Sequence, residues 1–245
     1  MRLPFVSSLL LAATAGAASS AGLDLGWLDC AGLGAGARNW AFACGTNVGV
    51  NTLVGSFVAP AGLDYVNGFE ARVDLYTEGS TLSPWWDIGD APHCRPKTSC
   101  AFSAVFTAGP FSCFDYFEGT ALGAGFYIPF YGGPNRAQIR MGFTKVLGFG
   151  PISEGLETYL FKVTISNAST VGLGSCPRCL DDACIAFTYA LVTNDQGLGG
   201  TDATLTAPAH NAYVTWQGGE ATECPVVDPV SARRPSWGSI KSLYR

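Results

Sequence analysis

Residues 69–75 read Phe-Glu-Ala-Arg-Val-Asp-Leu, with an apolar side chain at every second place and a charge at each place between. Successive side chains of a strand point to opposite faces, so this segment fits a strand with one buried and one wet face. The pattern returns at 138–143 and at 159–165. Further strands are expected at 53–58, 101–107, 125–131, 185–192, 203–206 and 213–216. Turn clusters such as Gly132-Gly133-Pro134-Asn135 and Asn194-Asp195-Gln196-Gly197 punctuate them. No helical period lies between the strands, which excludes a parallel doubly wound sheet. The expected fold is all-β, an antiparallel β-sandwich of about nine or ten strands.

Composition supports a large core. Hydrophobic residues make up 48% of the 245 and charged residues only 13%, which excludes a disordered, solvating chain. Fourteen basic against nineteen acidic residues give a net charge of −5, so the chain as a whole lacks the basic footprint of a nucleic-acid binder.

The first residues read as an export signal: Met1 and Arg2, an apolar stretch over 3–13, then small residues over 14–21. Cleavage is expected after Ala21. The apolar stretch is shorter than the roughly 20 residues that cross a bilayer, and no later segment is longer, so no transmembrane segment is expected. Residues 22–224 then form one sandwich domain, and the protein is secreted or held at the cell surface. Residues 225–245 form a linker, punctuated by Pro225, Pro229 and Pro235, and a C-terminal peptide. In that peptide Trp237, Ile240 and Tyr244 fall at i, i+3 and i+7, one helical face for docking or address, with a frayed terminus as the alternative.

Nine cysteines stand at 30, 44, 94, 100, 113, 176, 179, 184 and 224. In an exported chain they are expected to pair, and the odd count leaves one over. Locality favours Cys30 with Cys44, Cys94 with Cys113, and one bridge among Cys176, Cys179 and Cys184, although eight cysteines alone allow 105 connectivities. The Cys-x-x-Cys spacing at 176–179 also suits a zinc ligand pair or thiol exchange; the absence of a second pair and the export signal favour structural bridges.

The start Leu23-Asp24-Leu25-Gly26-Trp27, the segment Pro84-Trp85-Trp86, the loop Gly132-Gly133-Pro134-Asn135-Arg136, the strand Phe161-Lys162-Val163 leading to Thr170-Val171-Gly172, and the closing peptide from Trp237 to Arg245 together resemble a group of uncharacterised exported bacterial proteins. That resemblance covers most of the chain beyond the export signal and implies export without an assigned activity. The alternation over 159–165 is similar to a strand of cohesin-type sandwiches. The sandwich is therefore expected to be jelly-roll or cohesin/Ig-like.

Trp85 and Trp86 are neighbours, so in an extended segment one indole faces in and the other out. An outward indole beside Asp87 or Asp90 would stack on a sugar ring; the competing reading is that both rings close the end of the core. The only histidines, His93 and His210, read as loop residues, and no Gly-x-Ser-x-Gly elbow occurs. Glycoside hydrolysis needs only two carboxyl groups, for which Glu70, Asp74, Asp87, Asp90, Asp115 and Glu118 are candidates. No catalytic residue and no cofactor are expected. The acidic turns Asp181-Asp182 and Asp195 with Asp202 are where calcium would find oxygen ligands, although no Asp-x-Asp-x-Asp-Gly loop is present.

The sequence thus reads as a noncatalytic surface or extracellular binding or adhesion module, with a glycan or a surface protein as partner and oligomeric state left open. The alternatives are a glycoside hydrolase using paired carboxylates and a structural component of a surface assembly.

Overall fold

The computed structural model describes residues 20–105, 113–146, 148–218 and Cys224. Thirteen strands follow in chain order: β1 (Gly22–Trp27), β2 (Asn39–Trp40), β3 (Val50–Val58), β4 (Val66–Thr77), β5 (Ile88–Gly89), β6 (Arg95–Pro96), β7 (Cys100–Ser103), β8 (Ala121–Pro129), β9 (Arg136–Lys145), β10 (Glu157–Ser166), β11 (Ala183–Asn194), β12 (Ala203–Leu205) and β13 (Tyr213–Trp216). Three single-turn 3-10 segments are the only helical elements among the described residues. Each of the nine segments expected from sequence overlaps a strand, but the strands stop short of residues 104–105, 130–131 and 206, and residues 106–107 lie outside the described residues.

Two sheets face each other. The smaller has the order β1-β3-β10-β7, all antiparallel; the larger runs β2-β13-β11-β4-β9-β8, with β12 beside β11. Only the short β13–β2 pairing in the larger sheet is parallel. β4 shows why the period-two sequence folds this way. Phe69, Ala71, Val73 and Leu75 enter the core while Glu70 and Arg72 stay exposed. From β10 and β11, Phe161 and Phe187 meet edge to face across the core at 5.1 Å. Phe161 needs Gly55 opposite it on β3, because a Cβ there would lie 2.1 Å from the ring.

The two outer faces differ. A bulge between Tyr159 and Phe161 shifts the alternation of β10, so that Tyr159 packs with Val54, Cys30 and Cys113 on the outside of the smaller sheet. There Asp24, Ser56 and Glu157 are also buried. Glu157 accepts from the backbone N–H groups of Gly32 and Leu33 and from Ser56 Oγ, which ties the loop after β1 onto the sheet. Among the described residues the larger sheet has no comparable cover over β4, β9 and β8, whose outward residues include exposed Glu70, Arg72, Arg136 and Phe126.

Four disulfides form: Cys30–Cys113, Cys44–Cys179, Cys94–Cys176 and Cys184–Cys224, and Cys100 keeps a buried thiol. The seven cysteines expected in bridges are all bridged, with Cys224 as the eighth. The local pairings are corrected, however: Cys30 does not join Cys44, Cys94 does not join Cys113, and no bridge closes within 176–184. The smallest separation is 40 residues and the largest 135. Segments distant in sequence are brought side by side by the sheets, and the bridges join those neighbours. Closing loops of this length contributes about 2–4 kcal/mol each through the entropy of the unfolded chain.

Candidate ligand cleft

The segment Pro84–Trp86 forms a 3-10 turn with Pro84 in its first turn, where the missing N–H costs nothing. This corrects the extended reading, since a helical turn does not alternate faces. Both indoles are buried, Trp85 fully and Trp86 to 1% exposure. Trp85 stacks on Trp216 at 4.6 Å, and Trp27 and Phe42 complete the cluster on the other side of Trp216. Neither indole is available to a ligand, so the ring-stacking role expected for one of them is withdrawn. The core-closing alternative describes both.

Behind Trp85 lies a buried cation. The Arg95 guanidinium sits 3.9 Å above the Trp85 ring and donates to the carbonyls of Trp85, Ser166 and Ala168. Burial holds its pKa down to about 10, so it is still charged at neutral pH. Arg95 thereby pins the 84–96 segment to the turn after β10.

The same segment builds one wall of an open cleft of about 670 Å³. Asp90, His93, Lys97 and Thr98 line this wall; Phe102 of β7 and the Gly125–Pro129 end of β8 form the rest. His93 is oriented by Asp87, with Nδ1 and Oδ1 2.6 Å apart. Gly89 gives its ring room, since a Cβ there would lie 2.2 Å from the imidazole. Asp90 pairs with Lys97 at 3.1 Å, both side chains in solvent. Tyr127 donates its hydroxyl to the Trp86 carbonyl at 2.6 Å, and burial raises its phenol well above 10. Burial also pushes the Cys100 thiol up to about 12, which leaves it protonated and a poor nucleophile at neutral pH.

No protein-family profile matches the chain, and no curated protein does. Among solved structures, one similar chain is the cohesin module from Clostridium perfringens ATCC13124 family 33 glycoside hydrolase. It is 10% identical, with 80% of this chain and 98% of that one covered, at a TM-score of 0.38.

Of the residues singled out from sequence, Asp90 lines the cleft and Asp87 stands behind His93. Asp181 forms an ion pair with Arg178, and Asp182 lies beside it in a separate depression of about 450 Å³ with Glu78. Asp195 caps the turn Gln196–Leu198, and Asp202 accepts from the backbone of Asn194. Among the described residues no group of three or more His, Cys, Asp or Glu side chains is disposed to hold a metal. No helix among them is long and apolar enough to cross a membrane. Trp237, Ile240 and Tyr244 lie outside the described residues. Sequence reasoning missed Lys97, Thr98, Phe102 and Phe126.

Proposed function

We propose that this chain is an exported, noncatalytic binding module that takes a carbohydrate in the cleft between the 88–98 segment and β8. The observation that supports this reading is the composition of the cleft. Aromatic surface from Phe102, Phe126 and Tyr127 stands opposite the polar groups of Asp90, His93, Lys97 and Thr98, which is the mixture of ring face and hydrogen-bonding rim that a sugar uses. The four disulfides fit an oxidising compartment, in line with an export signal over 1–21. A hydrolase with paired carboxylates is less well supported: Asp90 is the one carboxylate among the lining residues and is held by Lys97, while Asp87 is occupied by His93.

A glycan array probed with the disulfide-bonded chain and with the double variant Asp90→Ala, Lys97→Ala tests the reading. The expected result is binding by the native chain and loss of at least about tenfold in affinity in the variant, the scale of two charge-assisted hydrogen bonds. Release of reducing ends from the bound glycan, or equal binding by both proteins, would refute it.

A further inference from the structure

Arg72 on β4 and Arg140 on β9 are direct cross-strand partners on the open outer face of the larger sheet. Like charges opposite one another weaken a sheet, so folding alone does not favour this pair. Tyr189 continues the row from β11 and Phe126 from β8, which makes it Tyr189–Arg72–Arg140–Phe126. Arg136 stands four residues before Arg140 on β9, and each of the three guanidinium groups lies over a tyrosine ring: Arg72 over Tyr189 at 4.4 Å, Arg136 over Tyr76 at 4.5 Å and Arg140 over Tyr131 at 4.7 Å. Among the described residues none of the three forms an ion pair with a carboxylate. The carboxylate between the rows, Asp74, accepts from Gln138 Nε2 and Thr188 Oγ1 instead, and Gln138 in turn accepts from Arg140 Nε. The arginines are thus held in place by rings and an amide, and their outward N–H groups remain without an anionic partner.

We propose that this face binds an acidic polysaccharide, with carboxylate or sulfate groups taken by the Arg72–Arg140 pair and by Arg136, and sugar rings lying along the flanking aromatic side chains. The proposal shares Phe126 with the cleft and otherwise rests on different residues. Adjacent strands place the Arg72 and Arg140 Cβ atoms about 5 Å apart, close enough for one anion to be shared or forked by both. Arg136 and Arg140, four residues apart on one strand, are separated by about 13 Å, a spacing suited to successive charges on a polymer.

Charge decides among occupants. A second copy would bring arginine against arginine. The chain's own residues 225–245 carry Arg233, Arg234, Lys241 and Arg245 against a single acid, Asp228, and are repelled as well. That segment follows Cys224, which is bridged to Cys184 and packs with Tyr76 and Tyr213 at the end of this same face. The net charge of −5 opposes any polyanion at long range, so the attraction has to come from the local arginine row, and duplex DNA is the competing polyanion that the test below separates.

The test titrates the full disulfide-bonded chain with polygalacturonate, dextran sulfate, neutral dextran and duplex DNA at low and raised salt. Binding to at least one of the two acidic polymers is expected, weakening with salt, with neutral dextran and DNA much weaker. The double variant Arg72→Gln, Arg140→Gln should lose about tenfold or more in affinity. Its thermal midpoint should be unchanged or higher, because a repulsive pair has been removed. Absence of binding to both acidic polymers, DNA bound as tightly as either, or a variant with native affinity would overturn the proposal. So would a deletion of 233–245 that abolished binding while the double variant kept it.

Discussion

Asp24 on β1, fully buried, meets His210 from the loop before β13, with Oδ2 and Nδ1 2.8 Å apart. Its other oxygen accepts from the backbone N–H groups of His210 and Asn211. One carboxylate thus joins the first strand of the smaller sheet to the last strand of the larger.

Burial raises the Asp24 carboxyl above its ordinary 3.8, against the opposing pull of the His210 and Asn211 hydrogen bonds. With a raised pKa the folded state holds a proton that the unfolded chain has already released. The Asp24 contribution is therefore greatest at low pH and is lost as pH rises through the folded value. Against Asp24→Asn, which does not titrate, the native chain should gain relative stability on going from neutral to acid pH. Urea midpoints of both proteins over that range check this; a gap that stays constant or narrows on acidification would count against the assignment.

The thiol inventory gives a second expectation. Mass spectrometry of the nonreduced protein should show eight hydrogens fewer than the fully reduced chain, for the four bridges. Iodoacetamide should label no cysteine in the native protein at neutral pH and one after denaturation without reductant, because Cys100 is buried and its thiolate disfavoured. Native labelling, or two labels on denaturation, would contradict the bridge pattern.

Gly55→Ala should destabilise the sandwich by about 2–3 kcal/mol, since the added methyl overlaps the Phe161 ring in the middle of two paired strands. Trimming the ring in Gly55→Ala, Phe161→Leu should return part of the loss, which a comparison of thermal melts would reveal. Additive effects in the two variants would show that the ring and the glycine are not in contact.

Arg95→Met should cost about 3 kcal/mol or more in a urea titration, because it leaves the buried carbonyls of Trp85, Ser166 and Ala168 without their shared donor. Arg95→Lys, with one ammonium for three separated acceptors and no flat face for Trp85, should fall between. A neutral effect of Arg95→Met would remove the pinning role.

The strands were legible because their signal is local. Phe69 to Leu75 alternate whatever packs on them, and the same is true of the 138–143 and 161–165 segments; Tyr159 departs from the pattern because the bulge after it turns it to the outer face. Pro84-Trp85-Trp86 was not legible, because its turn is held by Trp216 and Arg95, 131 and 10 residues away from Trp85. Asp90 was found at the cleft through the neighbouring tryptophans, although those tryptophans themselves turned out to be core. The cysteine partners were hidden for a related reason: Cys44 and Cys179, 135 residues apart, are brought together beside the end of β13 in the larger sheet. The Arg72–Arg140 pair needed the register of β4 against β9, which no single strand encodes.

The bridges also set how the molecule would carry tension. A pull between the amino end and the segment after Cys224 passes along the chain to Cys44, across to Cys179, and on through Cys184 to Cys224. Most of β3, β4, β9, β10 and β11 lies off that covalent route. A tethered copy under drag would yield only a short length of slack before sulfur–sulfur bonds took the load, and the folded strands beside that route would remain unstretched.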